Sequence, residues 1–201
     1  TDPPLDFHPS RQLRNSLVAR DIYYSILPSA STEQRDLAAS FARAVGKYEP
    51  PVIESIVAYT YLVTGENIAV ARVWSTLFWL IAGIALFDLM SRATSPWAAL
   101  LALTYYLVLP FSVQASRSFQ PDPLMTSAFV VGIYFLYRWS EEQTWKWAIL
   151  AGVFLSLATF VKIIIAFFVG SAAIALVLFT LGKNFWKSKQ VWMMAVVMVT
   201  P

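Results

Sequence analysis

Long apolar runs alternate with isolated charges along most of this chain, and the runs can be measured. Val73–Phe87 is uncharged over 15 residues, Ala93–Ser116 over 24, Pro123–Tyr137 over 15, Trp147–Val161 over 15 and Ile163–Gly182 over 20. A helix that crosses a bilayer needs about 20 mostly apolar residues, and about 17 at the least. The shorter runs reach that length when Arg72, Arg138 or Lys146 lays its aliphatic stem along the apolar surface and keeps its charge among the headgroups. The pattern predicts five spans, at about 68–90, 95–114, 121–139, 146–161 and 163–181, and the start of a sixth near 190. Pro110 lies inside the second span and must kink it or end it early. Pro121 and Pro123 suit a loop entering the third. Trp97, Trp139, Trp145, Trp147, Trp186 and Trp192 fall near the predicted ends, where amphipathic rings collect at the headgroup level.

The N-terminal quarter follows another pattern. Leu13, Leu17, Ile22 and Ile26 recur near helical spacing, and Leu37, Phe41 and Val45 do so again. Pro28-Ser-Ala-Ser separates the two stretches, and Ser31 with Gln34 has the spacing of a capping box. Two short amphipathic helices lying on a membrane surface are predicted. A third helix over 51–64, bounded by Pro50-Pro51 and Gly65, is too short to span and belongs at the interface. The resulting division is residues 1–67 as a loop with juxtamembrane helices and 68–201 as transmembrane helices. The chain opens in a polar stretch without an initiator Met and stops inside an apolar run that starts near Val191, which predicts a segment of a longer membrane protein.

Composition narrows the class. Hydrophobic residues make up 58% of the 201 residues and charged residues 13%, against roughly 45–50% and 25% in soluble domains. That leaves too little polar surface for a water-soluble globule, and the bias is opposite to that of disorder. With no cysteine there is no disulfide and no thiolate metal site, and a net charge of +3 gives no reason to expect nucleic acid.

Alternation of the spans sorts the charges. One side receives Arg92, Arg138, Lys146, Lys183, Lys187 and Lys189, the other only Arg117 and Lys162. The positive-inside rule makes the first side cytoplasmic and puts residues 1–67 outside. Six further cations (Arg11, Arg14, Arg20, Arg35, Arg43 and Lys47) then lie outside, against the rule, as they should if they serve an anionic ligand. The same face collects Asp6, His8, Arg11, Gln12, Glu49, Glu54, Arg117, Asp122 and Lys162. Carboxylates and cations at a lipid–water boundary suit a substrate with an anionic head and a lipid tail; solvated loop charges are the plainer account. Lys162, between apolar runs of 15 and 20 residues, is a functional candidate because an ionisable group there is costly unless it snorkels or pairs.

Six short motifs stand out: Asp6-Phe-His-Pro-Ser-Arg-Gln, continuing to Val18-Ala-Arg-Asp-Ile-Tyr, then Tyr48-Glu-Pro-Pro, Thr64-Gly-Glu, Ala71-Arg-Val-Trp-Ser, Ala115-Ser-Arg-Ser-Phe-Gln-Pro-Asp and Thr159-Phe-Val-Lys. The first resembles the first external loop of bacterial membrane glycosyltransferases of the protein mannosyltransferase and aminoarabinose transferase superfamily, and the others follow in that family's order. The resemblance implies an all-α polytopic membrane bundle of the GT-C type, glycosyltransferase family 39-like, present here as its N-terminal half. It implies transfer of a hexosyl or pentosyl group from a polyprenyl-phosphate sugar donor to a lipid, glycan or protein hydroxyl, with inversion. The bacterial inner membrane is the expected location, with the site facing the periplasm or exterior.

By the same resemblance Asp6 is the candidate general base and Asp122 the second acid. Arg11, Gln12, Glu49, Arg72, Arg117 and Lys162 are the expected substrate contacts. No cofactor is implied with certainty; a divalent metal on His8 and Glu49 is left open. Two positions depart from the family: Glu49 stands where some relatives carry Lys, and Ile163 stands in place of the glycine after Lys162. A transporter or flippase subunit for a lipid-linked sugar is the alternative, although it should carry ionisable groups near mid-membrane. A non-catalytic membrane interaction module is the third reading.

Overall fold

The computed structural model describes residues 8–46 and 48–199. Asp6 and Lys47 therefore lie outside the described residues. All regular structure in the described part is helical: α1 (Pro9–Ile26), α2 (Thr32–Val45), α3 (Val52–Thr64), α4 (Ile68–Ala93), α5 (Pro96–Val108), α6 (Pro110–Ser116), α7 (Asp122–Glu142), α8 (Trp145–Val161), α9 (Ala166–Leu181) and α10 (Lys189–Val199). Short 3-10 turns at Ile163–Ile165 and Gly182–Lys187 flank α9. The protein is an all-α membrane helix bundle, as the apolar runs require. Two helical stretches, Ile68–Ala93 and Ile163–Lys187, are each long and apolar enough to cross a membrane alone. The α5–α6 pair is a third candidate, broken at Leu109–Pro110 where the proline cannot continue the ladder. α8 matches its predicted limits but, at 17 residues, is one of the shorter apolar helices.

The chain forms two compact units, Thr1–Phe78 with Pro110–Pro123, and Trp79–Leu109 with Leu124–Pro201. In the first, α1 packs on α2 and α3. The capping box forms as its spacing predicts: the Ser31 hydroxyl accepts from the Gln34 N–H at 3.2 Å and the Gln34 side chain accepts from the Ser31 N–H at 2.9 Å. The inward faces are unexpected. α1 buries Gln12, Asn15, Val18, Ala19 and Tyr23, while α2 buries only Ala38 and Ala42. Three of the large apolar residues that made these helices amphipathic point outward: Leu13 is 47% exposed, Leu37 55% and Phe41 48%, while Leu17, Ile22, Ile26 and Val45 are half-buried. Small residues let α1 and α2 approach, and the bulky ones form the apolar face expected of helices lying on a membrane.

The second unit is built the other way. Leu136, Trp139, Ala148, Ala151, Leu155, Val169, Val177 and Met194 form its apolar centre. Gly132 lies so close to α8 that an added Cβ would meet Leu155 Cδ2 at 2.6 Å. Trp79 and Tyr106 stack at 4.7 Å, and the Tyr106 hydroxyl donates to the Trp79 carbonyl at 3.3 Å. One buried polar contact ties the ends together: Trp139 Nε1–H donates to Gln190 Oε1 at 2.6 Å.

Candidate functional site

The two polar residues on the inward face of α1, Gln12 and Asn15, have a specific task. Residues 117–121 connect α6 to α7, and the first compact unit grips this connection by its backbone. Gln12 Oε1 accepts from the Phe119 N–H at 3.1 Å, and Asn15 Nδ2 donates to the Phe119 carbonyl at 3.0 Å. From α4, Ser75 donates to the Ser118 carbonyl at 2.7 Å and Thr76 to the Ser116 carbonyl at 3.3 Å. Phe119 itself is fully buried. Three side chains thus satisfy the non-helical backbone of Ser118 and Phe119, and Thr76 takes the last carbonyl of α6. Gln12, expected as a substrate contact, is fully buried and reaches the loop instead.

The pinned loop delivers Asp122, the first residue of α7, to α1. Arg11 lies one residue before Gln12 and turns the other way. Its Nη2 donates to Glu49 Oε1 at 3.3 Å, and its Nη1 is 3.9 Å from Asp122 Oδ2. Three positions far apart in sequence, on α1, on the α2–α3 connection and at the start of α7, meet around one guanidinium. All three side chains keep about a third of their surface exposed. Ion pairs this open are worth less than about 1 kcal/mol, so the cluster does little for stability and remains accessible to a ligand.

Behind Arg11 lies a small cavity of about 20 Å³, lined by Arg11, Arg14, Asn15, Tyr48, Glu49 and Glu54 among others. The Arg14 guanidinium rests on the Tyr48 ring, 4.3 Å from its centre. Glu54 is only 6% exposed, and its buried Oε2 has no hydrogen-bond partner. Burial pushes its carboxyl up to about 7; a hydrogen bond from its own backbone pulls it down in part, and the Glu49 charge adds to the rise. Arg14 and Glu54 belong to none of the family-like motifs. The signal available for Glu54 was a carboxylate inside the apolar stretch Val52–Thr64, whose helix leaves it on the buried face with Ile53, Val57 and Ala58.

The remaining predicted residues are distributed as follows. His8 caps α1 from a left-handed backbone, φ 55°. Arg72 lies in the first turns of α4, and Arg117 in the pinned connection, both within the first unit. Lys162 belongs to the second unit, where it caps α8: its N–H donates to the Ala158 carbonyl at 3.1 Å and its backbone is extended. The missing glycine is no obstacle, because Ile163–Ile165 continues as a 3-10 turn closed by a bond from the Ile165 N–H to the Lys162 carbonyl. For a divalent metal the fit is poor. His8 and Glu49 join no group of three ligating side chains among the described residues, and Glu49 Oε1 already receives Arg11.

The motifs, the helical membrane architecture and the gathering of Arg11, Glu49 and Asp122 bear on one family. The sequence model described as dolichyl-phosphate-mannose-protein mannosyltransferase matches residues 48–201, starting at the Tyr48-Glu-Pro-Pro segment. No curated protein and no solved structure matches the chain. The match covers more than three quarters of the sequence, and the chain belongs to the dolichyl-phosphate-mannose-protein mannosyltransferase family, membrane glycosyltransferases of the GT-C kind.

Proposed function

We propose that this protein transfers a sugar from a polyprenyl-phosphate donor to an acceptor hydroxyl, with inversion at the anomeric carbon. The observation that carries the reading is the convergence of Glu49 and Asp122 on Arg11, 3.3 and 3.9 Å away. A guanidinium held between two carboxylates is oriented in advance, and its fork matches phosphate oxygens. In the reaction the acceptor oxygen bonds to the anomeric carbon while the bond from that carbon to the phosphate oxygen breaks. Polyprenyl phosphate leaves with the electron pair, and Arg11 neutralises the charge that develops on it. Arg72 and Arg117, in the same compact unit, are further cations for that phosphate. Asp6 accepts the acceptor's proton as general base. Asp122 orients the acceptor or the sugar. No step is routed through a metal.

The setting we infer is the bacterial inner membrane, with the site on the periplasmic or outer face and membrane lipids around it. Lipid, glycan and protein hydroxyls fit the acceptor role equally. The test is sugar transfer by the full-length protein in lipid nanodiscs, from radiolabelled polyprenyl-phosphate mannose. Transfer with release of polyprenyl phosphate is expected, and Asp6→Asn should abolish it. Movement of the intact donor across the bilayer without cleavage would instead establish the flippase reading.

A further inference from the structure

Two side chains of the α1–α3 region have chemistry that the reaction above does not use, and they line the same cavity. Arg14 makes no ion pair with a described residue, and its guanidinium is held flat on Tyr48 at 4.3 Å. Glu54 is 94% buried, yet its Oε2 is without a partner. A buried carboxyl oxygen left without a hydrogen bond is costly. The apolar alternative was open to the sequence, since α3 buries Ile53, Val57 and Ala58 on the same face. The cavity of about 20 Å³ is the size of one water or one hydroxyl group. Its lining offers a cation on one wall and a hydrogen-bond acceptor on another. A free phosphate is too large for this volume; it would gain from Arg11 and Arg14 at the edge and meet Glu49 and Glu54 as unfavourable neighbours. A ligand carrying phosphate and a nearby hydroxyl satisfies both walls.

We propose that Arg14 and Glu54 form a subsite for the sugar–phosphate junction of the donor, with Arg14 on the phosphate and Glu54 accepting a hydrogen bond from one sugar hydroxyl. The inference rests on the donor reading given above and adds to it a residue that discriminates between sugars. A site that hydrogen-bonds a hydroxyl rejects analogues lacking it far more strongly than an apolar pocket can, because its own polar group is then left unpaired. Glu54 does so from the buried face of the first turn of α3.

The test compares two ligands on the full-length protein in nanodiscs, polyprenyl phosphate and polyprenyl-phosphate mannose. Arg14→Ala should weaken both. Glu54→Ala should weaken the mannose-bearing ligand about ten- to a hundredfold and leave polyprenyl phosphate unchanged. Glu54→Gln, which keeps an acceptor oxygen, should recover most of the loss. If Glu54→Ala does not fold, monodeoxy-mannose donors on the wild type and Glu54→Met, an apolar side chain of similar length, replace it. The difference between the two proteins should then vanish for one deoxy position only. Equal weakening of both ligands by Glu54→Ala, no weakening, or a difference that persists at every deoxy position overturns the subsite while leaving the donor reading intact. A wild-type protein that binds neither ligand overturns the donor reading itself.

Discussion

The two compact units solve opposite problems. The first is held by side chains that reach for backbone: Gln12, Asn15, Ser75 and Thr76 all bond to residues 116–119. Its bulky apolar residues Leu13, Leu37 and Phe41 face outward. The second is held by apolar contact, with Gly132 against Leu155 and ring stacking of Trp79 on Tyr106. Irregular backbone is tolerated in a membrane protein only where protein or water satisfies its polar groups. The first unit supplies that satisfaction and so can present a loop bearing Asp122. The second relies mainly on close packing, with side chains reaching connection backbone at Gln143 and Trp186. Buried polar side chains in the first unit therefore mark where irregular backbone is held.

This contrast can be broken at several points. The largest effect should come from Arg11→Ala. Sugar transfer should fall on the order of a hundredfold, with the melting temperature nearly unchanged because the ion pairs are exposed. A large loss of stability with little loss of transfer would reverse the assignment of that cluster. Next is Glu54. Its carboxyl is raised from 4.5 to about 7 by burial, so its contribution to stability is complete below pH 4.5 and is lost as the pH rises through about 7. Relative to Glu54→Gln, the wild type should lose on the order of 3 kcal/mol across that range. Parallel pH profiles of melting temperature for the two proteins would show that Glu54 is not buried in this way.

Gln12→Ala sharpens the polar side of the comparison. It strands the Phe119 N–H and should cost about 1–3 kcal/mol, with transfer falling further than stability predicts because Asp122 loses its support. Gly132→Ala tests the packed side. An added Cβ within 2.6 Å of Leu155 should cost about 1–3 kcal/mol, read by thermal unfolding in detergent, and Leu155→Ala in the same chain should recover part of it. Trp139→Phe should have the smallest effect. Loss of the bond to Gln190 should cost about 1 kcal/mol, with transfer per folded molecule unchanged.

Much of the architecture was legible in the sequence because it depends on local chemistry. Ser31 and Gln34 specify a cap within one turn, Pro110 breaks a helix wherever it lies, and the apolar runs delimit α4 and α9. The site was legible in part. Arg11, Glu49 and Asp122 were named from their motifs, and the fold brings them together. The role of Gln12 was not legible, since an amide on a helix gives no sign of the loop it will hold more than a hundred residues away. Arg14 and Glu54 were counted among the charges of that face but given no role of their own, for the same reason: a charge reads as solvated until its neighbours in the fold are known.

The sequence by itself determined the membrane class, the helices and their breaks, because apolar runs, caps and prolines act within a few residues of themselves. Only the tertiary structure decided which face of α1 turns inward. A helix with a polar and an apolar side can bury either one when water bounds one side and lipid the other. Here α1 turns Gln12 and Asn15 inward together with Val18, Ala19 and Tyr23, because the Phe119 backbone needs partners, and Asp122 lies beside Arg11 three residues further on.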